Sequence, residues 1–144
     1  MNIASLLAKK SGAPITIRPE QTVRDALALL ARHNIGALIV VNAAGTPVGI
    51  VSERDIVREA ARNEQVFARA MSEIMTRDVI TGMPEDDLAS VANVMTEKRI
   101  RHLPVVTGGK LLGMISIGDV VKAQRDTYQG KAETLETQIL ADKA

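Results

Sequence analysis

Apolar residues at Val23, Ala26, Leu27 and Leu30 follow i, i+3, i+4 and i+7 spacing, and the same spacing returns at Leu88, Val91, Ala92 and Met95. A period near 3.6 puts each set on one face of a helix, so two amphipathic helices are predicted. Thr22 and Asp87 stand just ahead of them as N-caps, and His33, at the end of the first helix, sits where a solvated cation suits the helix dipole. After each helix the pattern changes to short continuous apolar runs, "ALIVV" (37–41) and "LPVV" (103–106). Turn-forming stretches follow, "NAAGTP" (42–47) and "TGGK" (107–110), and then "VGIVS" (48–52) and "LGMIS" (112–116). Each succession predicts a β-hairpin, with Ser52 and Ser116 ending its second strand and opening a further helix.

The two passages are copies of one unit. An offset of 65 residues sets "ITIRPEQTV" (15–23) over "ITGMPEDDL" (80–88) and "IGALIVV" (35–41) over "IRHLPVV" (100–106). One residue fewer in the turn sets "VGIVSERDIV" (48–57) over "LGMISIGDVV" (112–121). Each copy reads strand, helix, strand, strand, helix, beginning near Ile15 and near Val79. A unit of roughly 60 residues is marginal for burying its own apolar faces, so the copies are expected to pack together about a pseudo-twofold axis. The fold class is therefore α/β, of the α+β kind: two β-α-β-β-α motifs packed through their sheets, with flanking N- and C-terminal helices. The linker "EAARNEQVFARAMSEIMT" (59–76) reads as helical. In the tail, Tyr128, Ala132, Leu135 and Ile139 follow 4-3-4 spacing, fit either for a second subunit or for a helix that frays at Gly130.

Composition narrows the function classes. Phe67 and Tyr128 are the only aromatic residues, so the core must be aliphatic and no stacking platform for single-stranded nucleic acid exists. With 18 Lys+Arg against 17 Asp+Glu, the net charge of +1 gives no bulk attraction for nucleic acid or an anionic membrane. The lack of cysteine excludes a disulfide scaffold, a thiolate metal site and a cysteine nucleophile. No apolar run approaches the ~20 residues of a membrane span, and the opening "MNIASLLAKKSGAP" does not read as a leader. A soluble, cytoplasmic protein is expected.

The candidate chemistry lies in the repeated Ser-x-x-Asp. Taken singly, Ser52 with Asp55 and Ser116 with Asp119 are capping boxes. Their duplication, with Gly49 and Gly113 three residues ahead of each serine, adds a second meaning, because a short carboxylate can accept hydrogen bonds from the two vicinal hydroxyls of a ribose. A phosphate beside that aspartate needs a cation. The second copy supplies Arg101 and His102, where the first has Gly36 and Ala37, so the two clefts should differ: one competent for phosphate, one suited to an uncharged nucleoside or to nothing.

The duplicated G-φ-φ-S-x-x-D, "IMT" (74–76) and "RIRHLPVV" (99–106) together resemble a pair of cystathionine-β-synthase (CBS) motifs, also called a Bateman module. The resemblance runs from about residue 8 to 127, with motifs at 8–65 and 74–127 and a helical tail at 128–144. It implies a regulatory module that binds an adenosine-containing ligand, such as AMP, ADP, ATP, NAD(H) or S-adenosylmethionine, in clefts between the copies, and that commonly forms disc-like homodimers. With no attached catalytic domain, it implies action on a regulated partner in trans. Crossed sites are expected. The first cleft would take Ser52, Arg54, Asp55, Thr76, Val79, Ile80, Ile100, Arg101 and His102, with Asp55 on the ribose, Arg101, His102 and Arg54 at phosphate, and the base among Val79 and Ile100. The second would take Ser11, Ile15, Gly36, Ala37, Ser116, Gly118 and Asp119, though its opening segment departs from "IMTRDVI" and Ile117 and Gly118 replace Glu53 and Arg54.

Two rival readings remain. An enzyme would need a nucleophile with a base at useful spacing, a Walker-type loop or a metal-ligand set, and none is present, so no catalytic residue, metal or catalytic cofactor is expected. A ligand-independent dimerisation or docking module, with empty clefts and Ser-x-x-Asp serving only as caps, is the second.

Overall fold

The computed structural model describes residues 1–10 and 13–127. The first half contains β1 (Thr16–Ile17), α2 (Val23–His33), β2 (Ala37–Val41), β3 (Pro47–Ser52) and α3 (Glu53–Arg62), preceded by α1 (Ile3–Ala8). Its sheet runs β1-β2-β3, with β1 parallel and β3 antiparallel to β2. The second half contains α5 (Leu88–Lys98), β4 (His102–Thr107) and β5 (Lys110–Ser116), which form an antiparallel hairpin, and a helix α6 over 117–127. Both stripe helices begin where the spacing puts them. The Asp25 N–H donates to Thr22 Oγ1 at 3.3 Å, and Asp87 Oδ2 accepts from the Ala89 and Ser90 N–H groups.

The duplication persists in the irregularities. Both hairpins shift register at equivalent places, Val40/Val41 and Val105/Val106, and both stripe helices end on a left-handed residue, Asn34 (φ 51°) and Arg99 (φ 54°). One element differs. Ile17 pairs with Val40 and Thr16 with Ile39, whereas in the second half only the bridge from Gly82 to Val105 survives of the expected opening strand. Pro104 occupies the position of Ile39 and has no N–H for the ladder, which accounts for the lost strand.

Each half completes its core with the segment that leads into the other. Ile3 and Leu6 of α1 pack with Leu88, Val91, Met95, Leu103, Val105, Ile115 and Val120 of the second half. Val66 and Met71 pack with Val23, Leu30, Leu38, Val40 and Val51 of the first. This exchange answers the size problem, because each half gains apolar surface it lacks alone. The linker that serves it is helical only in pieces: α3 ends before Asn63, a 3₁₀ turn covers Val66–Ala68, and α4 covers Met71–Ile74. All five residues of β2 are buried, so both of its faces are covered. The helix expected over the tail, 128–144, lies outside the described residues. Among the described residues no helix is long and apolar enough to cross a membrane.

Candidate functional site

Thr76 reaches the first half through paired backbone bonds, the Ile50 N–H donating to Thr76 O at 3.0 Å and the Thr76 N–H to Ile50 O at 2.9 Å. These bonds pin Thr76 to β3 at Ile50, and Val79 and Ile80 follow it in the wall of the space beyond. From the other side, the turn out of α5 brings Arg99, Ile100 and Arg101 over the start of α3. The space between is a cavity of about 430 Å³, within the range that holds a nucleotide-sized ligand. All nine residues expected in the first cleft line it: Ser52, Arg54, Asp55, Thr76, Val79, Ile80, Ile100, Arg101 and His102.

Asp55 is fixed by its own helix start. The Ser52 N–H donates to Asp55 Oδ2 at 2.8 Å, and the Asp55 N–H donates to Ser52 Oγ at 3.2 Å, a complete capping box. Aspartate thus serves where glutamate is usual, at the cost of one oxygen. Among the described residues, Oδ1 of Asp55 has no hydrogen-bond partner, and a carboxylate oxygen retains acceptor capacity for hydroxyls.

Sequence reasoning missed Glu53, Arg58, Asp78 and Arg99 in the lining. Arg58 was recoverable from its place four residues after Arg54, on the same face of α3. Arg99 carried a subtler signal. Its counterpart Asn34 tolerates the left-handed conformation, whereas arginine there costs on the order of 1 kcal/mol, a strain typical of functional positions. None of Arg54, Arg58, Arg99 and Arg101 lies within 4.0 Å of a carboxylate among the described residues, so the cavity holds four guanidiniums without an ion-pair partner.

His102 opens β4, in register with Ser116, and its Nε2 lies 3.5 Å from where a side-chain carbon on Gly36 would stand. Burial pushes its imidazole below the ordinary value; Lys10 and Arg101 act the same way, while Glu53 and Asp119 oppose. A depressed folded-state value means that the unfolded chain takes up a proton first as pH falls. His102 therefore gives its full stability above about pH 6.5 and loses it as pH drops through its folded value. The expected result is a melting temperature that falls on acidification below pH 6.5, with a shallower slope in His102→Gln; equal slopes would rule this origin out.

The residues expected in the second cleft stand in several places. Gly36 and Ser116 line the cavity of the first. Ala37 is fully buried within β2, Ile15 packs on the first half's core, and Gly118 and Asp119 lie outside the cavity lining. Ser11 lies outside the described residues. The Ser116 N–H donates to Asp119 Oδ2 at 2.8 Å, as in the first copy, but the same oxygen also accepts from Lys10 Nζ at 2.7 Å. Burial pushes the Asp119 carboxyl up, and the bond from Lys10, the Ser116 N–H and the charge of Lys10 outweigh it and hold the carboxyl below its usual range. Among the described residues no group of three or more histidines and carboxylates gathers to hold a metal ion.

Comparison with known proteins places this geometry. The family model for the CBS domain matches twice, over residues 10–62 and 71–126. The mitochondrial CBS domain-containing protein CBSX3 of Arabidopsis thaliana is 34% identical over 125 residues, 83% of this chain; the match spans 61% of that protein's length. A CBS-domain containing protein of Agrobacterium tumefaciens superposes with a TM-score of 0.82 at 35% identity, over 86% of this chain and 99% of the other. The CBS domain pair of protein MJ0100, solved with 5-methylthioadenosine and S-adenosyl-L-methionine, superposes at 0.78 with 27% identity over 88% and 98%. A CBS domain protein of Pyrobaculum aerophilum complexed with AMP superposes at 0.74 with 28% identity over 83% and 89%.

Proposed function

The chain belongs to the CBS domain family as a tandem pair of its motifs, and from that premise we propose that it is a regulatory module taking one adenosine-containing ligand in the first cleft. The observation that carries the reading is the pairing, across one cavity, of a half-free carboxylate with an unpartnered guanidinium: Asp55 on one wall, Arg101 on the other, with His102 beside it as a hydrogen-bonding imidazole. Asp55 accepts from the ribose hydroxyls while its other oxygen holds the helix cap. Arg101 and His102 take phosphate, with Arg54 beside them. Val79 and Ile100 give the base an aliphatic slot. The relatives complexed with AMP and with S-adenosylmethionine support the adenosine part; AMP, ADP, ATP and NAD(H) all meet the demand for phosphate.

Two copies of the chain pair in this reading through α3 and α6. Val57 and Val121, at equivalent positions of the two helices, are 67% and 53% exposed, and a second copy would cover both. Ligand would act on a regulated partner in trans by binding one arrangement of the halves better than another.

A thermal-melt panel tests the proposal, with AMP, ADP, ATP, NAD+, NADH, S-adenosylmethionine and adenosine against GMP, on protein stripped by unfolding and refolding. A ligand at 100 times its Kd adds about 2.7 kcal/mol, a shift of several degrees. The expected result is a rise with adenine ligands and none with GMP, with the phosphate-dependent part of the rise absent in Arg101→Ala. A flat panel overturns the proposal and leaves a docking module whose Ser-x-x-Asp pairs are helix caps.

A further inference from the structure

Asp55 and Asp119 stand at equivalent points of the two halves and differ in what they hold. Among the described residues, Asp55 accepts from the Ser52 N–H and has no cation within ion-pair distance. Asp119 is bound by Lys10, whose ammonium also donates to Met114 O at 2.8 Å. By the offsets of the repeat, Lys10 is the counterpart of Met75, and Met114 of Ile50. In the first cleft this place in the lead-in segment carries a thioether that cannot donate. In the second it carries a primary ammonium that reaches across and engages the carboxylate. Leu7, one helical turn earlier, lies on Gly113, with Cδ2 2.8 Å from where a Cβ would stand.

We infer that Lys10 closes the second cleft and makes this CBS pair a one-site module, an inference that rests on the proposed use of the first cleft. Lys10 takes Oδ2, the capping oxygen, leaving Oδ1 of Asp119 without a partner among the described residues, so it opposes a ribose diol by offsetting the charge of the carboxylate rather than by taking its last acceptor. A ligand entering there must work against the ammonium, which Asp119 Oδ2 and Met114 O hold beside the carboxylate. The ion pair is partly exposed, at 44% and 31% of the two side chains, so its own strength sets a handicap of up to about fivefold. The cleft opened by removing Lys10 selects an uncharged nucleoside, because Gly36 and Ala37 stand where the first cleft has Arg101 and His102.

Equilibrium dialysis of the ligand-stripped chain with labelled adenosine and AMP counts the sites. The parent is expected to bind one equivalent, lost in Asp55→Ala. Lys10→Met is expected to gain a second equivalent of adenosine, with affinity at that cleft raised up to about fivefold. The gain should persist in Lys10→Met/Asp55→Ala and vanish in Lys10→Met/Asp119→Ala. Lys10→Arg, which keeps the cation, should stay at one. A second equivalent already present in the parent, or Lys10→Met remaining at one, overturns the closure. If the parent binds nothing while Lys10→Met takes adenosine through Asp119, the proposed use of the first cleft fails and the closure stands. Uptake by neither protein overturns both.

Discussion

Asp55→Ala is expected to lower the affinity for AMP by roughly 10- to 100-fold, whereas Asp119→Ala leaves it within about twofold. A hydrogen bond to a charged group is worth about 1.5–3 kcal/mol once the site is desolvated, which sets the larger figure. The comparison works because the two substitutions do the same damage to a helix cap. Each deletes the carboxylate of a capping box with nearly identical geometry, 2.8 Å from the Ser52 or Ser116 N–H. Each should therefore cost about 1 kcal/mol of helix capping, a fall of roughly 3–5 °C in melting temperature for a chain this size. Asp119→Ala also loses the Lys10 ion pair, so it should melt no higher than Asp55→Ala. Calorimetric titration with AMP, beside thermal melts, separates capping from binding. Equal affinities for the two variants, with both melting lower than the parent, would mean that Asp55 is a cap and nothing more.

The repeat made most of this architecture legible, because every local feature had a second copy to check it. Thr22 and Asp87 cap their helices, and Ser52 and Ser116 turn strand into helix, as residue chemistry alone requires. The first cleft was readable for the same reason: Arg101 and His102 mattered only because Gly36 and Ala37 stand in their places. What escaped were effects in which one residue cancels a backbone or side-chain partner far away in sequence. Pro104 reads as part of an apolar run, and only its pairing shows that it deletes the bond Ile39 makes. Lys10 is one of two adjacent lysines near the N-terminus, and nothing local says that it crosses to Asp119, 109 residues away. Arg99 reads as a surface arginine until its left-handed backbone and its place in the cavity wall are seen together.

Gly49→Ala is expected to destabilise the chain by about 1–2 kcal/mol net, while Gly113→Ala changes stability by less than about 1 kcal/mol in either direction. The two glycines occupy equivalent positions in β3 and β5 and meet different neighbours. A Cβ on Gly49 would collide with Met75 along the length of its side chain, against Sδ, against Cγ at 2.8 Å and against Cβ at 3.1 Å. Rotation of the methionine cannot relieve the last of these, because Cβ moves only with the backbone. That backbone is held by the two bonds between Ile50 and Thr76, so relief must come from sliding the segment 75–76 off β3. At Gly113 the obstruction is the tip of Leu7, Cδ2 at 2.8 Å with Cγ already at 4.0 Å, and one torsion clears it. Overpacking of the first kind costs about 1–3 kcal/mol. Alanine also restricts the unfolded chain, which returns about 0.4–1 kcal/mol in both variants. Urea denaturation supplies the two stabilities, and equal losses would show that Met75 yields as easily as Leu7. The same variant bears on the cleft, since a displaced Thr76 widens the wall that faces Asp55. Gly49→Ala should therefore weaken AMP binding as well as folding, and Gly113→Ala should leave binding intact, since the tip of Leu7 can yield without moving the wall of the first cleft.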